Sequence, residues 1–181
     1  MSETASVQLP LPLEPETVTI ALSRGQVTVV DAADADLADV KWSAVKPGRS
    51  RFYAVRWVRS NTPGKARRIL LLHRVILERV LGRELVKGEE VDHIDCNPLN
   101  NCRSNLRLSS HAENMRNVKK NRSNTSGYKG VHWSKDSNKW VASIKVDGKR
   151  KNLGGYATPE EAYAVYCEAA RKYHGEFARL E

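Results

Sequence analysis

Asp147-Gly148 stands between two eight-residue runs that read as strands, Lys139 to Val146 and Lys149 to Tyr156. An Asp-Gly pair suits a two-residue hairpin because both central positions of that turn need positive φ. A third strand-like run, Tyr128 to Ser134, precedes the pair. Thr158-Pro159-Glu160-Glu161 follows it, with an N-cap Thr, a Pro at the first helical position and a Glu three residues after the cap. Ala162, Val165, Tyr166, Ala169 and Tyr173 then stripe one helical face up to Gly175. The C-terminal third therefore reads as a three-stranded antiparallel sheet backed by one helix.

Upstream the pattern is α+β. Residues 1–17 are Pro-rich and acidic without periodicity and read as a flexible tail. Residues 18–66 form a β-rich region. Val18 to Leu22 and Gln26 to Val30 flank the hairpin signal Ser23-Arg24-Gly25. Asp31 to Asp39 suits one or two helical turns, and Arg51 to Arg59 alternates before the turn Asn61-Thr62-Pro63-Gly64. Trp42, Phe52, Tyr53 and Trp57 are read as the core of this small sheet. Residues 67–118 make the next unit: Arg67 to Leu72, then a short helix whose Leu72, Val75, Ile76 and Val80 recur at helical spacing until Gly82. Val91 to Asn105 is dense in Asp, His and Asn, and a second helical pattern runs from about Ser110 to Val118. Residues 119–126, polar and basic, read as a linker to residues 127–180.

The 181 residues hold 30 Lys and Arg against 21 Asp and Glu, a net charge of +9. Residues 1–40 contain one base and seven acids, which leaves 29 bases against 14 acids beyond them. Such a cationic body favours a polyanion, because each neutralised phosphate releases counterions. No apolar run approaches the length of a membrane span, and the N-terminus is acidic; both features predict a soluble, non-secreted chain with no membrane partner. Three cysteines without a CxxC pair argue against a disulfide framework, and no structural zinc is expected at His93, Cys96 and Cys102.

The chemistry concentrates in VDHIDCNPLNNCRSNLRLSSHAEN, residues 91–114. With Val91 to Ile94 as a strand, Leu106 to Leu108 as its return and Ser109 or Ser110 as a helix cap, Asn114 comes beside Asp92. A carboxylate and an amide carbonyl are hard oxygen ligands suited to a divalent metal, Mg²⁺ first and Mn²⁺ as an alternative. His93 faces the other side of the pleat, where a neutral imidazole can take a proton from an attacking water. Asn105 either satisfies loop backbone groups or holds the imidazole by its second nitrogen. His73 either touches phosphate or packs on its helix, and His111 could replace Asn114 as a ligand.

These spacings resemble the HNH family of ββα-metal nucleases, in its phage and intron-encoded branch whose last motif position is Asn. The resemblance rests on the DHxDxNxxNN start, the SNLR continuation and the upstream Leu72-His73-Arg74. It implies Asp92 and Asn114 as metal ligands, His93 as general base and Asn105 as the middle Asn. Cys96 sits where that branch commonly has Gly, and Cys102 where a basic or polar residue is usual. The C-terminal segment resembles the plant ethylene-response-factor (Apetala-type) DNA-binding domain through SGYKGVHW, KWVASIKVDGKRKNLGGY and TPEEAYAVYCEAA. By matching position this implies Lys129, His132, Trp140, Lys145 and Arg150 at DNA; Asn152 replaces a usual Trp, so base preference does not transfer. Residues 119–155 carry ten bases against two acids, which agrees with that role independently.

The sequence thus predicts a metal-dependent DNA endonuclease of homing type acting on double-stranded DNA, with phosphate contacts from the linker and from Arg103 or Arg107. A monomer or weak homodimer and a phage- or mobile-element-encoded protein in the bacterial cytoplasm are expected. The alternative is a sequence-specific DNA-binding protein that keeps the nuclease fold without turnover.

Overall fold

A computed structural model describes residues 16–47, 51–60, 64, 66–121 and 123–180. The acidic tail up to residue 15 and the turn residues Asn61 to Pro63 lie outside these. Hairpin chemistry opens the described chain: β1 (Thr17–Ala21) pairs antiparallel with β2 (Val27–Asp31) around Arg24 and Gly25, both at positive φ. A 3-10 segment, Ala32–Asp39, leads to a three-stranded antiparallel sheet of β3 (Ser43–Val45), β4 (Tyr53–Arg59) and β5 (Arg67–Leu71). β5 runs directly into α1 (Leu72–Leu81), which ends where Gly82 turns left-handed at φ 66. Next come β6 (Glu89–His93) and its antiparallel return β7 (Leu106–Ser110), then α2 (His111–Arg116). Ser110 caps α2 in a capping box with Glu113, so the helix starts at the register that carries Asn114. It stops two residues short of the expected Val118.

Leu72 and Ile76 of α1 are fully buried against Ile20, Val30, Leu37, Trp42, Ala44, Ala54 and Leu106. The N-terminal strands therefore share one apolar core with the ββα segment. Burial of each such side chain stabilises by about 1.5–3 kcal/mol before entropy is counted. Trp57 departs from its expected place in that core. The face of β4 that carries Val55 continues outward as Trp57 opposite Ile69, and both are about half exposed.

The C-terminal sheet has the order β10-β9-β8, with β8 (Val131–Ser134), β9 (Lys139–Val146) and β10 (Lys149–Tyr156) antiparallel throughout. Asp147 and Gly148 both take positive φ in the turn between β9 and β10. α3 (Pro159–His174) begins with the Thr158–Glu161 capping box and buries Ala162, Tyr166, Ala169 and Ala170 on Val131, Ala142 and Ile144. Gly130 (φ 76) lets the chain pass under the Tyr166 ring; a Cβ there would sit 2.2 Å from ring carbons.

Candidate active site and nucleic-acid interface

The β6–β7 register sets Asp92 opposite Arg107 and His93 opposite Leu106. Alternation then sends the two side chains apart. Asp92, almost fully buried, accepts from Arg107 (2.7 Å), and its two carboxylate oxygens accept from the Asn117 amide nitrogen at 2.9 and 3.1 Å. Asn117 follows α2 and also donates to the carbonyls of His93 and Ile94, so it ties the end of that helix to the strand. Arg107 is itself stacked 3.9 Å over Phe177 and donates to the Glu176 carbonyl.

Asn114 turns its amide nitrogen to Glu90 (2.8 Å), and His111 Nδ1 meets the other oxygen of the same carboxylate at 2.9 Å. Glu90, not Asp92, is thus the carboxylate that both residues contact. Asn114 nevertheless opens on the same cleft of about 300 Å³ as Asp92 and His93, with Arg51, Asn117 and Lys119 also on its walls. His111 is mostly exposed and is not on that cleft.

His93 is buried, and burial pushes its imidazole below the ordinary value, against the opposing pull of Asn101, Asp95 and Asp92. His73, on α1, packs edge-on at 5.0 Å from the His93 ring, and Tyr53 lies edge-on to both. Burial, with the charges of His93 and Arg74 adding, pushes His73 down to about 3, so it is a neutral packing partner of His93. The two roles left open for Asn105 separate here. Asn105 holds the loop: it accepts from the Asp95 amide (3.0 Å) and donates to Asp95 Oδ1 (3.0 Å) and the Asn100 carbonyl (2.8 Å). The imidazole is held by Asn101 instead, whose Oδ1 lies 3.2 Å from Nε2. Cys96 adopts φ 59, which gives a conformational reason for glycine at that place in the resembled branch.

A carboxylate and an amide carbonyl are the hard oxygen donors that a divalent cation takes. Asp92 contributes a carboxylate on the cleft, and Asn114, with its nitrogen committed to Glu90, has its carbonyl oxygen left for a ligand. Among the described residues no group of three or more His, Cys, Asp and Glu is placed to hold a metal ion. Also among them, no helix is long and apolar enough to cross a membrane.

The expected DNA contacts divide by strand parity. His132, Lys145 and Arg150 are exposed on the helix-free face of the C-terminal sheet, and Lys145 and Arg150 lie directly opposite each other. Trp140 does not join them. It shares the parity of Ala142 and Ile144, packs with the α3 core and meets Trp133 edge-on at 5.2 Å. Lys129 Nζ donates to the Arg116 carbonyl (2.7 Å), and burial pushes its ammonium down to about 8. Arg103 and Arg107 are both engaged by acids of the chain itself: the exposed Arg103 grips the fully buried Asp34 at 2.7 Å, and Arg107 grips Asp92. No local sequence signal marks those partners, because Asp34 is 69 residues from Arg103. Lys145 and Arg150 also line a second cleft, about 620 Å³, whose other wall includes His111, Met115 and Arg116. Lys145 and Arg150 therefore border the same cleft as the helix that carries Asn114.

The sequence model of the HNH endonuclease family matches residues 70–116, and that of the AP2 domain matches residues 126–176. The chain is 43% identical over 94 residues to Protein 3.8 of Escherichia phage T7, covering 52% of this chain and 77% of that protein. The chain belongs to the HNH endonuclease family, with an AP2 domain at its C-terminal end. An HNH endonuclease of Acanthamoeba polyphaga mimivirus is 36% identical over 107 residues, 59% of this chain; the chain spans about half of that protein, 54%. HNH nucleases generally use a divalent metal, and both domain types imply DNA binding.

Proposed function

We propose that the chain is a metal-dependent DNA endonuclease of homing type, with residues 67–118 as the nuclease unit, 119–126 as the linker and 127–180 as the unit that targets it. The observation that carries this reading is the meeting of Asp92, His93 and Asn114 on one cleft, with Arg51 and Lys119 beside them. Asp92 and Asn114 would hold the cation, Mg²⁺ first and Mn²⁺ as an alternative; when bound it supplies charge stabilisation at the phosphate and the leaving 3′-oxygen. His93, kept neutral by burial, takes the proton of the attacking water. Arg51 and Lys119 offset the charge of the entering phosphate. Asn105 keeps the loop that follows His93 in shape. His132, Lys145 and Arg150 meet the DNA from the open sheet face. One such centre nicks one strand; a double-strand cut needs a second copy or a second event. The activity belongs in the cytoplasm of a bacterial host, with a phage or mobile element as the source.

A DNA-binding protein without turnover is the competing reading, and one observation favours it: Arg107 and Asn117 already engage Asp92. The test is a nicking assay on supercoiled plasmids carrying phage and bacterial genome fragments, run with Mg²⁺, with Mn²⁺ and with EDTA. Open-circular or linear product that requires the metal is expected. DNA that is retarded yet uncut with either metal would establish the binding protein.

A further inference from the structure

The N-terminal hairpin reaches the reacting end of the molecule through a chain of buried hydrogen bonds. Asn101 and Thr28 are both fully buried. Asn101 Oδ1 faces His93 Nε2 at 3.2 Å, while Asn101 Nδ2 donates to Thr28 Oγ1 (2.7 Å) and to the Pro98 carbonyl (3.3 Å). Thr28 Oγ1 in turn donates to the Leu99 carbonyl at 2.8 Å. The backbone joins in: Val29 N donates to the Leu99 carbonyl (3.0 Å) and Asn101 N to the Val29 carbonyl (2.8 Å), so β2 lies along the loop as an added strand. Farther on, the Arg103 amide donates to Asp31 and its guanidinium grips Asp34, both from the N-terminal segment.

One set of bond directions satisfies every group, and the Pro98 carbonyl selects it. A hydroxyl has one proton, and that of Thr28 is committed to Leu99, so Thr28 must accept from Asn101. Reversing the Asn101 carboxamide would aim its oxygen at the Pro98 carbonyl, an acceptor against an acceptor. The oxygen of Asn101 therefore faces the imidazole, and a neutral imidazole must carry its proton on Nε2 to meet it.

We propose that Thr28 is a positioning residue for the general base: through Asn101 it holds His93 as the Nε2–H tautomer and leaves Nδ1 to take the proton from water. This rests on the reading of His93 as general base. It gives the β1–β2 hairpin a part in the reaction although it carries none of the reacting groups. Loss of the hydroxyl leaves the carboxamide nitrogen with the Pro98 contact alone and the ring with a mixed tautomer. A general base contributes ~10²–10⁴ in rate, and misplacing it part of the time should remove roughly tenfold.

The test uses the full chain and two readouts. Thr28→Val and Thr28→Ser are compared with the unsubstituted protein for kcat and KM in the nicking assay. The imidazole ¹⁵N resonances of His93, identified by their loss in His93→Gln, are recorded at a pH where the ring is neutral. The expected result is an Nε2–H ring in the unsubstituted protein, a mixture in Thr28→Val with kcat roughly tenfold lower and KM unchanged, and recovery of both in Thr28→Ser. An Nδ1–H ring in the unsubstituted protein overturns the proposal without any variant. So does Thr28→Val with unaltered kcat and tautomer. If no DNA is cut but the tautomer still responds to Thr28→Val, the general-base reading fails and the relay alone survives.

Discussion

Acid should destabilise this protein through His73. Its ring is 8% exposed, edge-on to His93 and Tyr53 and close to Arg74, and burial pushes it down from the usual 6.5 to about 3. An imidazole that stays neutral when folded but protonates at 6.5 when unfolded binds more protons in the unfolded state between those two values. Its stabilising effect is complete above pH 6.5 and is lost as pH falls toward 3. At pH 5 the unfolded chain gains about 2 kcal/mol from this one proton, against about 0.2 kcal/mol at pH 7. His93 titrates in the same direction, so the loss is isolated by difference. Urea unfolding of the unsubstituted chain and of His73→Phe, which keeps a ring at that place, should show their stability gap moving by about 2 kcal/mol in favour of Phe between pH 7 and pH 5. A gap that stays constant across that interval would refute the assignment of His73 as a neutral buried ring.

Three further outcomes follow from the packing and the charge layout. Arg107→Leu strips the buried Asp92 carboxylate of its ion pair and should cost about 3 kcal/mol in thermal unfolding, most of it recovered in Arg107→Leu with Asp92→Asn; additive losses would show the two are not coupled. Gly130→Ala drives a Cβ into the Tyr166 ring and should cost about 2 kcal/mol or more, whereas Gly148→Ala, with open space around it, carries only the turn penalty of about 1 kcal/mol; equal melting temperatures for the two would contradict the close approach. Lys145→Ala with Arg150→Ala should lower the salt slope of DNA binding by about 2, since each phosphate contact contributes ~0.9; an unchanged slope would remove this face from the interface.

The C-terminal architecture was legible because its signals are local. Asp147-Gly148 and the Thr158–Glu161 capping box each set a conformation within four residues, and the strands Lys139–Val146 and Lys149–Tyr156 and the end of α3 at Gly175 lie where those signals put them. The Asp-His-Asn spacing likewise placed the β6–β7 hairpin and the Ser110 cap. The partners of the site were not legible. Asn117 on Asp92, Thr28 on Asn101 and Asp34 on Arg103 join residues 25, 73 and 69 apart, and no periodicity carries that information. Trp140 was misplaced for a different reason: matching position to the resembled DNA-binding domain put it among the contacts, whereas the period-2 alternation through Ala142 and Ile144 sets it on the helix side. A period-2 reading of β9 alone would have separated it from Lys145.

Cutting and binding can be measured apart on one DNA. On a site cleaved by the unsubstituted protein with Mg²⁺, His93→Ala should retain its dissociation constant within about twofold while cleavage falls by at least ~10². Cleavage by His93→Ala at the unsubstituted rate would contradict the assignment of the reaction to this centre.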